Sequence, residues 1–151
     1  MTAGGNVTEG SCRCGQVRLK ARGRPMLTMA CHCTGCQKMT ASAFSLSSLY
    51  PQDAVEVGGL EPVIGGLHGE LHHYCCPYCM SWLFTRAEMM GPFVNLRATM
   101  LDDACDFRPF VETYTSEMLP WATTPAKHSF EKFPPMEAYA GLIAEFAGAG
   151  A

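Results

Sequence analysis

The chain has 151 residues, a formal charge of −3 and no run of Lys or Arg, which argues against a dedicated nucleic-acid surface. Its hydrophobic content of 48% suits a packed core rather than a disordered chain, and no apolar stretch reaches the roughly 20 residues that span a bilayer. Fifteen glycines and ten prolines favour a loop-rich, mainly β single domain over a helical bundle.

Residues 1–9 read as a flexible lead-in to one domain over 10–151. Val17, Leu19 and Ala21 alternate with Arg18, Lys20 and Arg22, so 16–22 is expected as a half-buried strand. Residues 27–33 read as a second strand, and Thr34 as the cap of a short helix ending near Thr40. A third strand is expected over 43–49, stopped by Tyr50-Pro51. Gly58-Gly59 and Gly65-Gly66 punctuate a hairpin region. Further strands are expected over 71–76, 81–85, 92–100 and 110–115. Residues 120–135, rich in proline, read as irregular. Residues 136–147 carry the best helix signal, with Pro134-Pro135 before it and Gly148 after it. Its apolar face is expected to be Met136, Tyr139, Ala140, Ile143 and Phe146.

Seven of the nine cysteines fall into three clusters: Cys12-Arg13-Cys14, Cys31-His32-Cys33-Thr34-Gly35-Cys36 and Cys76-Pro77-Tyr78-Cys79. Residues i and i+2 of a strand share a face, so Cys12 and Cys14 can present two sulfurs together. The Cys-x-x-Cys turn does the same through a knuckle. One pair from each of two hairpins builds a cage of four thiolates about 2.3 Å from a zinc ion. Cys31, Cys33 and Cys36 then remain as a three-ligand site. A closed four-ligand zinc is structural, whereas a three-ligand zinc keeps a position for substrate. The plainer alternative, thiols buried as small hydrophobes, does not account for the clustering.

His32 lies between two of these cysteines and is expected to point to the opposite side, a fourth-ligand role being the weaker alternative. His68, His72, His73 and His128 read as surface or satisfied histidines. Cys75 is expected in the core, and Cys105, among acidic residues, as a thiol outside both clusters. Residues 1–11 contain no apolar segment of signal-peptide length, and an odd cysteine count suits a reducing compartment. The expected location is cytoplasmic. Cys-Pro-Tyr-Cys is also the redox motif of glutaredoxins, but there it opens a long helix near the N-terminus. Here it comes midway, and a strand-like run follows.

Gly10-Ser11-Cys12-Arg13-Cys14-Gly15-Gln16-Val17, Cys31-His32-Cys33-Thr34-Gly35-Cys36-Gln37-Lys38 and Cys76-Pro77-Tyr78-Cys79 with Leu83-Phe84 carry a specific resemblance. Together with Pro120-Trp121 they resemble the glutathione-dependent formaldehyde-activating enzyme family, also called the CENP-V/GFA domain. The resemblance implies a mainly β, Mss4-like β-tent with zinc-bound hairpins, short helices and a C-terminal helix. It implies two zinc ions, a structural one on Cys12, Cys14, Cys76 and Cys79 and a catalytic one on Cys31, Cys33 and Cys36. It also implies a carbon–sulfur lyase that adds a thiol such as glutathione to a small aldehyde such as formaldehyde. Zinc lowers a thiol's pKa and so supplies the reactive thiolate at neutral pH. Lys38 is a candidate for offsetting that charge or meeting the substrate, although a solvated lysine on a short helix is the plainer reading. Phe44 and Trp121 are candidates for a pocket wall, with core packing the simpler expectation. The rival to an enzyme is a zinc-stabilised β scaffold that carries a thiol or binds a protein without turnover. The chain departs from the family where an aromatic residue is usual and Cys75 stands, and where glycine is usual and Met80 stands. Glycine is also frequent near Ala41-Ser42.

Overall fold

A computed structural model describes residues 5–67 and 69–149. In chain order it contains β1 (Val7–Ser11), β2 (Val17–Arg22), β3 (Leu27–Cys31), α1 (Thr34–Thr40), β4 (Ser45–Pro51), β5 (Val55–Gly59), β6 (Val63–Ile64), β7 (Leu71–Cys75), β8 (Trp82–Ala87), β9 (Phe93–Arg97), β10 (Val111–Thr113), β11 (His128–Ser129) and α2 (Tyr139–Gly148). Short 3₁₀ turns link several of them. The architecture is mainly β, with short helices and a helix at the C-terminal end, as expected. The lead-in is shorter than expected. Val7–Ser11 is already a strand, while residues 1–4 lie outside the described residues.

The contacts divide the chain into two compact units. One comprises the described part of Met1–Pro25 together with Leu49–Asp106, and the other Met26–Ser48 with the described part of Phe107–Ala151. The boundary falls inside β4.

In the first unit, β1, β2 and β5 form an antiparallel sheet with β2 in the middle. The alternation of β2 works as read: Val17, Leu19 and Ala21 are buried, and Arg18, Lys20 and Arg22 face out. On the outer face Lys20 stands opposite Glu9 on one side and Glu56 on the other, a favourable cross-strand charge row. Gly10 bridges to Leu101, and a Cβ at Gly10 would sit 2.1 Å from the Met100 carbonyl oxygen. Only glycine allows that approach. Strands β6, β7, β8 and β9 pair antiparallel, each with the next in the chain. A bulge between Tyr74 and Cys75 shifts the register as β7 enters the Cys76–Cys79 knuckle. The core of this unit includes Val17, Leu19, Tyr50, Leu83, Phe84, Val94 and Leu96.

In the second unit, β10 lies between β3 and β11 and pairs parallel with both. Val111 is opposite Met29, Glu112 opposite Ala30, and Thr113 opposite Cys31. Helix α2 packs against β3. The C-terminal helix begins later than expected: Met136–Ala138 is a 3₁₀ turn, and α-helix starts at Tyr139. The tighter turn rotates Met136 out of the apolar stripe, and it is 78% exposed. Ala140 is exposed as well, and the stripe instead runs through Tyr139, Leu142, Ile143 and Phe146. Phe146 meets Phe110 edge-on at 5.3 Å. No helix among the described residues is long and apolar enough to cross a membrane.

Candidate metal centres

Four cysteines converge in the first unit. The sulfur atoms of Cys12, Cys14, Cys76 and Cys79 lie within 4.8 Å of one another. Cys12 and Cys14 were expected along an extended strand, but they occupy a turn. Gly15, at φ +81°, reverses the chain, and its N–H bonds back to the Cys12 carbonyl at 3.0 Å. The opposing pair sits in the knuckle between β7 and β8, where the Met80 N–H closes onto the Cys76 carbonyl at 2.9 Å. That knuckle is a turn between strands and does not open a helix, unlike the redox motif it resembles. N–H groups point at the sulfurs: Val17 donates to Cys12 at 3.3 Å and Cys79 to Cys76 at 3.5 Å. The Ser81 hydroxyl accepts from the Arg13 N–H at 3.1 Å and lies within hydrogen-bond reach of the Cys79 sulfur, at 3.2 Å. Such donors suit thiolates, which need hydrogen bonds when removed from water.

Three cysteines converge in the second unit. The sulfurs of Cys31, Cys33 and Cys36 also lie within 4.8 Å of one another. Cys31 ends β3, Cys33 immediately precedes α1, and Cys36 is on its first turn. The helix cap is Cys33, whose sulfur accepts the Cys36 N–H at 3.2 Å, and not Thr34 as expected. Thr34 is instead the first helical residue, and its N–H goes to the Glu117 carboxylate at 2.7 Å. Gln37 ties the same turn down by donating to the His32 carbonyl at 2.7 Å and the Glu117 carbonyl at 3.0 Å. A hydrogen bond from the Cys36 thiol, against the opposing effect of burial and with help from Thr113, holds the Cys31 thiol down at about 5. The same bond pushes Cys36 up, and the Ser45 hydroxyl works against that rise.

His32 turns away from the three sulfurs into a polar pocket of its own. It is fully buried, and its Nε2 lies 2.8 Å from a Glu112 carboxylate oxygen. The Thr124 hydroxyl donates to the same oxygen at 2.9 Å, and the Ser129 hydroxyl donates to the other at 2.6 Å. Phe44 meets the imidazole edge-on at 5.3 Å. Glu112, Thr124, Ser129, Glu117, Thr113 and Ser45 all escaped the reading of the sequence. The one available signal was Glu112, an acid inside the expected strand 110–115.

Both donor sets fit zinc. They are all sulfur, they converge, and they number four and three, the closed and open sets of structural and catalytic zinc. Residues 7–117 match the family described as glutathione-dependent formaldehyde-activating enzyme. The chain belongs to that family. No curated protein matches it. A crystal structure of a Rhodobacter sphaeroides protein is similar to it with 14% identity and a TM-score of 0.49, over 62% of this chain and 87% of that one.

Two of the departures from the glutathione-dependent formaldehyde-activating pattern fall where the backbone is left-handed. Met80 stands at φ 61° and Ala41, which ends α1, at φ 53°. Both are left-handed positions that favour glycine. Cys75 is buried, as expected, beside Gly65, where an added Cβ would lie 2.9 Å from the Cys75 sulfur. Lys38 is exposed on α1, two residues past Cys36 and so about 200° round the helix from it. Phe44 is half-buried and, with Thr124 and Pro125, lines a hollow of about 260 Å³. Trp121 is not core as the simpler expectation had it, being 72% exposed. His73 bonds Thr85 through Nδ1 at 2.9 Å, and His128 bonds the Glu145 carboxylate at 3.0 Å. His68 lies outside the described residues. Cys105 is exposed, and none of the nine cysteines is in a disulfide.

Proposed function

We propose that this chain is a zinc-dependent carbon–sulfur lyase that joins a small thiol, glutathione or a relative of it, to a small aldehyde such as formaldehyde. Cys12, Cys14, Cys76 and Cys79 hold a structural zinc in this reading, and Cys31, Cys33 and Cys36 hold an exchangeable one. The observation that carries it is the asymmetry of the two centres: four converging sulfurs in one, three in the other. A pure scaffold gains nothing from a centre with a missing fourth ligand.

When bound at the three-cysteine centre, zinc supplies the thiol substrate in its reactive, deprotonated form at neutral pH. The protein's own groups prepare that centre. Thr113, opposite Cys31 on β10, holds the Cys31 thiol down, and the Ser45 hydroxyl works the same way on Cys36. The Cys36 N–H donates to the Cys33 sulfur. Helix α1 is pinned by Glu117 and Gln37, so Cys36 is presented on a fixed turn. His32 is held on the opposite side by Glu112 and leaves the fourth position to an incoming ligand. Lys38, on the solvent face, is at most a contact for the charged parts of a substrate. A cytoplasmic setting belongs to this reading, because seven cysteines serve as thiolates and none is oxidised.

The test is metal stoichiometry with exchange, followed by thiol–aldehyde consumption. Two zinc ions per chain, one displaced by a chelator or a millimolar thiol, together with faster adduct formation than in buffer, support the reading. Two equally inert zinc ions and no rate above buffer favour the scaffold.

A further inference from the structure

The pair formed by His32 and Glu112 is left over from the chemistry just described. It buries an imidazole completely and a carboxylate nearly so, next to the three-cysteine centre. For stability alone, apolar side chains of the same volume would serve as well or better. We propose that Glu112 is a positioning residue for the three-cysteine centre: through His32 it holds Cys31 and Cys33 in the arrangement that takes a metal. This rests on the reading that Cys31, Cys33 and Cys36 hold one.

The tautomer follows from the bonding. The Glu112 carboxylate accepts from the Ser129 and Thr124 hydroxyls. Burial pushes its carboxyl up, but those bonds and His32 outweigh burial and hold it below its ordinary value, so it is ionised at neutral pH. An ionised carboxylate only accepts, and Nε2 of His32 must therefore carry the hydrogen. The Nδ1 atom has no hydrogen-bond partner among the described residues. The ring is thus fixed by one strong bond at Nε2 and by the edge of Phe44, and by no polar contact on its other side. Removing the Glu112 acceptor would leave a buried N–H unpaired and free the ring to turn.

The sequence spacing makes that ring a lever on the metal ligands. His32 lies between Cys31 and Cys33, so a shift of its backbone moves both sulfurs. Its own N–H bonds to the Thr113 carbonyl at 3.0 Å. Adjacent strand residues point to opposite faces, and β10 uses this. Glu112 grips His32 on one face, and Thr113, whose side chain points to the other, stands opposite Cys31 in the register. Two neighbours on one strand meet two neighbours at the end of the next. Outer partners of this kind are worth 10–100-fold in metal affinity where they have been removed from other centres.

The experiment is a cobalt titration with competition by a chelator, read by the absorption of the two thiolate centres. Cys33→Ala identifies which absorption belongs to the three-cysteine centre. In Glu112→Ala, that centre should lose about 10–100-fold in affinity while the four-cysteine centre is unchanged. Glu112→Gln keeps the acceptor for His32 and should stay within about threefold of wild type. His32→Phe should lose as much as Glu112→Ala, and the double variant no more than either alone, because one residue acts through the other. Wild-type affinity in Glu112→Ala would overturn the proposal. So would equal weakening of both centres, which marks a merely structural role, or losses that multiply in the double variant. If Glu112→Ala does not fold, Ser129→Ala and Thr124→Val each remove one hydroxyl from the carboxylate. Both should weaken the three-cysteine centre alone, and unchanged affinity in both overturns the proposal. A wild type that takes up one cobalt only defeats the underlying metal reading and the proposal with it, before any variant is made.

Discussion

The sulfurs of Cys14 and Cys76 lie 3.8 Å apart although 62 residues separate them in the chain. A metal on the four-cysteine centre therefore closes a long loop and ties the β1–β2 turn to the β7–β8 knuckle. Structural zinc of this kind contributes on the order of 10 kcal/mol in small zinc domains, more than the whole stability of many proteins of this size. Cys76 is fully buried, so Ser in its place also leaves a hydroxyl short of partners. Cys76→Ser is expected to aggregate or to lose its cooperative thermal transition. A soluble variant that melts at the wild-type temperature would contradict the structural role.

Cys75 and Cys105 belong to neither centre. With no disulfide among the nine cysteines, protein that has been denatured and stripped of metal under non-reducing conditions should titrate as nine thiols. Seven thiols would show a disulfide and would undo the cytoplasmic reading.

Two left-handed residues offer a test of backbone strain. A non-glycine residue there costs about 1–2 kcal/mol, and glycine gives back roughly 0.5–1 kcal/mol through its greater freedom when unfolded. Met80→Gly and Ala41→Gly should thus each stabilise the metal-loaded protein by about 0.5–1 kcal/mol in chemical denaturation, whereas Met80→Ala should bring no gain. A loss of stability in both glycine variants would mean that side-chain contacts, and not the backbone, decide these positions.

Glu112 makes acid stability measurable. Its carboxyl is held below the ordinary 4.5, so its contribution is fully present above that value and is lost as pH falls through the lower folded one. Glu112→Gln has no such contribution to lose. The stability difference between wild type and Glu112→Gln should shrink as the pH is lowered from about 6 to about 3. A difference that stays constant over that range would show that the charge of Glu112 adds nothing to the fold.

What was legible in the sequence was local. The period-two alternation from Val17 to Arg22 predicted β2 and its buried face, and the cysteine spacings predicted both sulfur clusters with their members. These features need only nearest neighbours along the chain. The turn at Cys12–Gly15 was misread as strand because the positive φ of Gly15 outranks the strand pattern before it. The cap of α1 went to Cys33 because the helix starts one residue earlier than expected, with Thr34 already helical and the Cys33 sulfur taking the Cys36 N–H. The stripe of α2 shifted because three residues of 3₁₀ turn change the angular register. Glu112, Ser129 and Thr124 could not be found at all, since Glu112 is 80 residues from its partner His32 and their meeting is decided by the parallel pairing of β3 and β10.

The central claim is that Cys31, Cys33 and Cys36 hold an exchangeable metal open to a thiol. Its most direct test compares wild type with Cys33→Ala by metal content and by thiol binding at millimolar concentration. Wild type should carry two zinc ions and bind a small thiol at one of them. Cys33→Ala should stay folded, keep one zinc, and lose both thiol binding and thiol–aldehyde activity. A variant that keeps both zinc ions, or a wild type that binds no thiol, would contradict the enzyme reading and leave a zinc-stabilised scaffold in its place.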